Sequence, residues 1–204
     1  MLYLRKNLKG ELNISAGTES DELYIVLLPE GEVLEISRRI QKRVVDHYDL
    51  YCEEEPPEIH LTLNKIKQEG LNRADEILDK LTSEVSEPIE ILIDQLKCLH
   101  SSGDKFLVMD VVRTESLESF AYQLHTRLEE TGISTLGNYQ DWSFHITIIS
   151  NIFARNPIPD DQLTELCYRL EGFEAPFSAV ARWVEIWRPT LDRKNKTTGS
   201  YIIE

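Results

Sequence analysis

The sequence predicts an α+β fold made by duplication, with two sheets packed across a pseudo-twofold axis and helices on the outside. Strand-like and helix-like runs occur in the same order twice, offset by roughly 85 residues. The composition, 41% hydrophobic and 28% charged over 204 residues, suits a chain that buries a sizeable core. No low-complexity linker separates the two copies. Residues 1–204 are therefore expected to form a single bilobal domain, with pseudo-repeats at about 23–100 and 105–188.

The first copy opens with Leu23–Pro29 (LYIVLLP), a β-branched, apolar run that a proline stops. Val33, Ile36, Ile40, Val44 and Tyr48 then recur at helical spacing, with Arg38, Arg39, Lys42 and Arg43 elsewhere on the helix. Beyond the break EEEPPE comes a short strand, Ile59–Leu63. A helix with Ile77, Leu78, Leu81 and Val85 on one face follows, and Pro88 closes it. Ile89, Ile91 and Ile93 begin another strand. The second copy starts past the turn Ser101–Ser102–Gly103–Asp104. Phe106–Val112 is an apolar strand, and Leu117, Phe120, Leu124 and Leu128 line a helix that Thr131–Gly132 ends. Phe144–Ile148 is a short strand. Leu163, Leu166, Cys167 and Leu170 mark a helix after NPIPDD, and Phe177–Trp187 is the last major strand. The tail RKNKTTGSYIIE either adds an edge strand or hangs free.

The two short strands read EIHLTLN and SFHITIIS. Each holds a His, an apolar residue, a Thr and another apolar residue. Side chains alternate along a strand, so His60 and Thr62 share one face while Ile59, Leu61 and Leu63 share the other. By the same rule His145 and Thr147 point together, opposite Phe144, Ile146 and Ile148. A single His-x-Thr carries little weight. Two at equivalent places in a duplicated unit carry much more.

With these motifs the sequence resembles the 2H phosphoesterase superfamily, which includes bacterial 2′–5′ RNA ligase-like proteins and cyclic nucleotide phosphodiesterases. The matching segments are His60-Leu61-Thr62-Leu63 and His145-Ile146-Thr147-Ile148. The order of elements agrees from LYIVLLPEGEV to Trp187. The resemblance implies two antiparallel sheets around a central cleft, no required metal or other cofactor, and chemistry on 2′,3′-cyclic or 2′–5′-linked phosphates.

The residues make chemical sense of that expectation. Cleaving a phosphodiester needs a base for the nucleophile and an acid for the leaving alkoxide, on opposite sides of phosphorus. Histidine serves either role near neutrality. His60 and His145 are thus the expected catalytic pair, with Thr62 and Thr147 as substrate-binding donors to the non-bridging oxygens. Ligation is the same step reversed; mass action in water favours hydrolysis. Trp187 is the leading candidate for a further substrate contact among Tyr24, Arg113, Trp183, Trp187 and Arg188, each of which also has a purely structural reading. His47, His100 and His125 have no partner pattern and read as structural or solvent-facing.

Other classes fit less well. Neither His-Glu-x-x-His nor a cysteine pair accompanies the histidines, which argues against zinc, and no Gly-rich phosphate loop is present. Cys52, Cys98 and Cys167 are widely spaced and are expected as bystander thiols. A formal charge of −14 disfavours long polyanions. The expected partner is a small nucleotide or an RNA terminus, not a long duplex and not a membrane. No apolar run is long enough to span a bilayer, and MLYLRKNLKGELN lacks the features of a secretory signal. A cytoplasmic monomer is expected. The competing class is a protein of the same fold that binds or senses a nucleotide without turning it over; a third is an acidic interaction module.

Overall fold

The computed structural model of the chain describes residues 21–52, 55–101, 104–172 and 177–204. The first twenty residues, and Ser102 and Gly103 of the expected turn, lie outside that set. The elements run β1 (Glu22–Pro29), α1 (Gly31–Tyr48), β2 (Leu61–Lys67), α2 (Leu71–Ser83), β3 (Ile89–Ser101), β4 (Asp104–Val111), α3 (Glu115–Glu130), β5 (His145–Ser150), α4 (Asp160–Leu170) and β6 (Ser178–Trp187). A four-residue helix, α5 (Arg193–Lys196), and β7 (Thr197–Ile202) follow. Strand, helix, strand, helix, strand thus occurs twice, and the tail supplies an edge strand.

Local chemistry sets the boundaries. Thr114 caps α3 by accepting a hydrogen bond from the Leu117 backbone N–H, with Glu115 and Glu118 in the first turn where the helix dipole favours them. Gly132, at φ +71°, takes the left-handed conformation that ends the helix, and its N–H bonds the Glu129 carbonyl. Asp49 turns the chain out of α1 in the same conformation.

All strand pairings are antiparallel. The strands fall into two groups, β2-β1-β6 and β5-β4-β3, joined into one seven-stranded order, β1-β2-β5-β4-β3-β6-β7. Pairing of β1 with β6 closes six strands into a ring, and β7 lies outside on β6. Each copy lends its last strand to the other: β6 pairs with β1, and β3 pairs with β4. One hydrophobic core accordingly runs through both copies, from Leu23, Ile25 and Leu78 to Phe120, Phe144 and Ile186. Helices α2 and α3 pack together, α1 lies against β5 and β6, and α4 lies against β3.

The cysteines require a correction. Cys98 on β3 and Cys167 on α4 form a disulfide, although both were expected as bystander thiols. They are 69 positions apart, and only the packing of α4 on β3 brings them together. Cys52 is a free, exposed thiol.

Candidate active site

The two groups of strands meet where β2 runs beside β5. Among the described residues these strands share one ladder pair, Leu61 with Ile146. Both side chains are fully buried beneath the sheet. Carried one residue to either side, this antiparallel register sets His60 opposite Thr147 and Thr62 opposite His145. All four are half-buried, while Ile59, Leu63, Phe144 and Ile148 are buried with Leu61 and Ile146. The polar face therefore carries a crossed square in which each His has the other motif's Thr as its neighbour. The two His occupy a diagonal, where such neighbours lie about 7–8 Å apart, with their Cβ atoms somewhat closer.

Both imidazoles are held the same way. His60 Nδ1 lies 2.7 Å from the Glu58 carbonyl oxygen, and His145 Nδ1 lies 2.8 Å from the Ser143 carbonyl oxygen. A carbonyl only accepts, so Nδ1–H is the donor in each ring and the neutral ring keeps its lone pair on Nε2. Each anchor lies two residues before its histidine. The duplication thus extends to ring orientation. Among the described residues, neither Thr62 nor Thr147 engages its hydroxyl in a hydrogen bond.

The surroundings favour neutral rings. Burial, aided by the charges of Lys196 and His145, pushes His60 from 6.5 down to about 4. The Glu58 carbonyl and carboxylate oppose that shift. Burial also lowers His145; Lys97 and Lys65 add to this, while the Ser143 carbonyl and Asp110 oppose it. Asp110 sits directly across from His145 on β4 and pairs with Lys97 at 2.5 Å. Each histidine thus feels the charge of a lysine that is itself tied to a carboxylate. Among the described residues, no three His, Cys, Asp or Glu side chains gather as a metal ion requires.

Trp187 comes to the site as a buried wall. Its ring centroid is 4.7 Å from that of His60, its Nε1–H donates to Glu185, and Lys196 Nζ sits 3.2 Å from the centre of the indole. Tyr24 is across from both Lys65 and Trp187, and Lys65 Nζ lies over the Tyr24 and Trp142 rings. Arg113 is a strut, bonded to Glu118 and to the carbonyls of Tyr139 and Trp142. Trp183 is exposed beside Ile202 of β7, and Arg188 caps the Asn195 carbonyl. His125 is buried against Asn64 and stacked on Tyr139, while His47 and His100 are exposed.

Sequence reasoning missed Glu58, Lys65, Lys97, Asp110, Trp142 and Lys196. Only the position of Glu58, two before His60 as Ser143 is two before His145, left a trace in the motif alignment. Trp142 donates to the Thr62 carbonyl and, with Lys65, lines a pocket of about 350 Å³ beside the square. The histidines do not line that pocket; Lys65, whose charge reaches His145, connects the two.

A family model described as the AKAP7 2'5' RNA ligase-like domain matches residues 25–177, most of the chain and both motifs. No curated protein is significantly similar to it in sequence. Among solved structures, TT0787 of Thermus thermophilus is similar with a TM-score of 0.62 at 17% identity, covering 89% of this chain and 97% of that one. E. coli LigT complexed with 3'-AMP is similar with a TM-score of 0.54 at 16% identity, covering 90% and 98%. LigT complexed with NADP+ gives 0.51 at 15% identity, covering 91% and 99%. These likenesses concern the fold.

Proposed function

Because the chain belongs to the AKAP7 2'5' RNA ligase-like domain family, within the 2H phosphoesterase superfamily, we propose that it is a metal-independent phosphodiesterase. Its substrate is a 2′,3′-cyclic phosphate, a 2′–5′ linkage or a small cyclic nucleotide, and His60 and His145 are its acid–base pair. The observation that carries this reading is the Leu61–Ile146 register, which sets two identically anchored imidazoles diagonally across one polar face.

The reaction is balanced by the two rings alone. One neutral imidazole takes a proton from water on its Nε2 as the oxygen bonds to phosphorus. The other, entering protonated, gives its Nε2 proton to the departing ribose oxygen as the old P–O bond breaks. Each ring ends in the other's starting state, so a proton exchange with solvent resets the site. Thr62 and Thr147 donate their hydroxyls to the non-bridging oxygens, where charge is held during displacement. Fixed Nδ1–H donors keep both Nε2 atoms aimed at the phosphate without reorganisation.

A small nucleotide or RNA terminus suits the acidic chain better than a long duplex, and the 350 Å³ pocket beside Lys65 and Trp142 is of a size for part of such a ligand. LigT, which shares the fold, is seen with 3'-AMP. Residues 1–204 form one domain in this reading, acting as a cytoplasmic monomer. No helix among the described residues is long and apolar enough to cross a membrane. The Cys98–Cys167 disulfide weighs against the cytoplasm, since such bonds persist in oxidising compartments; thiol trapping in cells tests the location, with free thiols supporting the cytoplasm and bonded ones overturning it.

Turnover of 2′,3′-cyclic nucleotides, 2′–5′ dinucleotides and cyclic di- and trinucleotides in the presence of EDTA tests the function. Hydrolysis that survives EDTA and is lost in His60→Ala and His145→Ala is the expected result. Tight binding without turnover of any member would mark a nucleotide sensor instead, and net formation of 2′–5′ bonds from cyclic ends would mark a ligase.

A further inference from the structure

We infer that Lys196 is a positioning residue for His60, holding through Glu58 and Trp187 the imidazole that the proposed reaction uses. Lys196 is buried, at 6% exposure, whereas the other lysines among the described residues are exposed or half-buried. Its ammonium group bonds a Glu58 carboxylate oxygen at 2.5 Å and lies 3.2 Å from the centre of the Trp187 ring. Both partners touch His60 directly. The Glu58 backbone carbonyl accepts the Nδ1–H, and the Trp187 ring packs edge-on against the imidazole. Glu58 thus binds His60 with its backbone and Lys196 with its side chain. The four residues form a closed loop.

The loop joins three distant parts of the chain: the segment before β2, the end of β6 and the short helix α5. Hydrogen bonds brace it, since Asp192 caps α5, the Arg188 N–H bonds the Lys196 carbonyl, and Glu185 holds the indole N–H of Trp187. A buried ammonium ion is costly unless paired and hydrogen-bonded, so its presence one side chain away from His60 asks for a reason. Holding the ring between carbonyl and indole fixes its aim, and the adjacent positive charge disfavours a second one on the imidazole. The charged groups acting on His60 are Lys196, His145 and Glu58; those acting on Lys196 are Glu58, Arg193 and Glu185. Nothing equivalent packs on His145 among the described residues; its cationic neighbour Lys97 is more exposed and pairs across the strand with Asp110. The two histidines therefore differ in what stands behind them, although their motifs are alike.

Proton NMR titration of the His60 and His145 rings in wild type, Lys196→Met and Lys196→Arg tests the inference without any substrate. Lys196→Met keeps the stem and removes the charge. His60 is expected to titrate roughly one pH unit higher in it, with His145 little changed and Lys196→Arg close to wild type. Should Lys196→Met fail to fold because Glu58 is stranded, Glu58→Gln/Lys196→Met removes both charges and keeps the Glu58 backbone carbonyl; the charge of Lys196 acts on His60 more strongly than that of the Glu58 carboxylate, so an upward shift remains, though a smaller one. Lowered thermal stability with an unmoved His60 titration in both variants would reduce Lys196 to a structural residue. The kinetic arm rests on the proposed phosphodiesterase: Lys196→Met is expected to lower kcat about tenfold, change KM little, and move the acid limb of kcat/KM to higher pH. Absence of turnover in the wild type would remove the proposed function and leave the NMR result standing.

Discussion

In the proposed reaction two imidazoles and two hydroxyls act on one phosphate, and their removal has separable effects. His60→Ala or His145→Ala is expected to cost about 10²–10⁴-fold in kcat. Thr62→Val and Thr147→Val preserve shape and remove one charge-assisted donor each, so a loss of roughly 10–100-fold is expected. The pH dependence has a definite sign. Both histidines are shifted down, His60 to about 4, from an ordinary value of 6.5. The base form therefore survives to low pH, while the acid form is lost as pH rises through the lowered values. A kcat/KM profile should peak below pH 6.5; a peak on the alkaline side would contradict the assignment of both rings. The same shift touches stability, because the unfolded chain takes up its proton first: His60 withdraws stability as pH falls from about 6.5 towards 4. The histidines and threonines were legible because a period of two fixes which side chains share a face. Lys97 and Asp110 were not, since they meet His145 only through the pairing of β4 with β5 and β3, and Lys196 was not, since it reaches Glu58 from the short helix α5, 138 positions away.

Among the elements, each expected strand has an observed counterpart, but the bounds moved: β2 is Leu61–Lys67 where Ile59–Leu63 was expected, so Ile59 and His60 precede it, and β6 begins at Ser178, one residue after the expected start. The sequence showed only the start of β3, which runs on to Ser101 because its first residues pair with β6 and its later ones with β4. The tail became β7 by pairing with β6, a partner that its own polar sequence does not announce. Junctions between elements are packed tightly enough to test. Gly70, at the entry to α2, lies where an added Cβ would stand 2.7 Å from the Cβ of Ile133, just after α3. Gly70→Ala should destabilise by about 1–3 kcal/mol through overpacking, read as a lower urea midpoint with unchanged m-value; a neutral effect would show that the Ile133 segment yields freely. Reduction of the Cys98–Cys167 bond, which closes a long loop, should cost roughly 2–4 kcal/mol by the same measurement.

In the whole molecule, the repeated order of elements was legible and the exchange of strands was not. Periodicity shows that two similar units exist; it does not show that β6 completes the group of β1 and β2 while β3 completes that of β4 and β5. This exchange has a consequence for folding. A fragment of residues 1–101 keeps β1 and β2 but loses β6, and leaves unpaired the edge of β3 to which β4 is hydrogen-bonded. It is expected to lack a cooperative thermal transition, whereas the full chain has one; a folded, cooperative fragment would show that the copies are independent. The Leu61–Ile146 pair, the one ladder pair between β2 and β5 among the described residues, sets His60 of one copy beside His145 of the other, so that under the proposed function each copy supplies half of the site. The most direct test of that claim is a double-mutant cycle in kcat on a hydrolysed phosphodiester, comparing His60→Ala, His145→Ala and the variant carrying both. Residues that act as one unit on one phosphate lose together, so the double variant is expected to be scarcely slower than either single one. Losses that multiply would mean that the two histidines work independently, and the paired mechanism would be wrong.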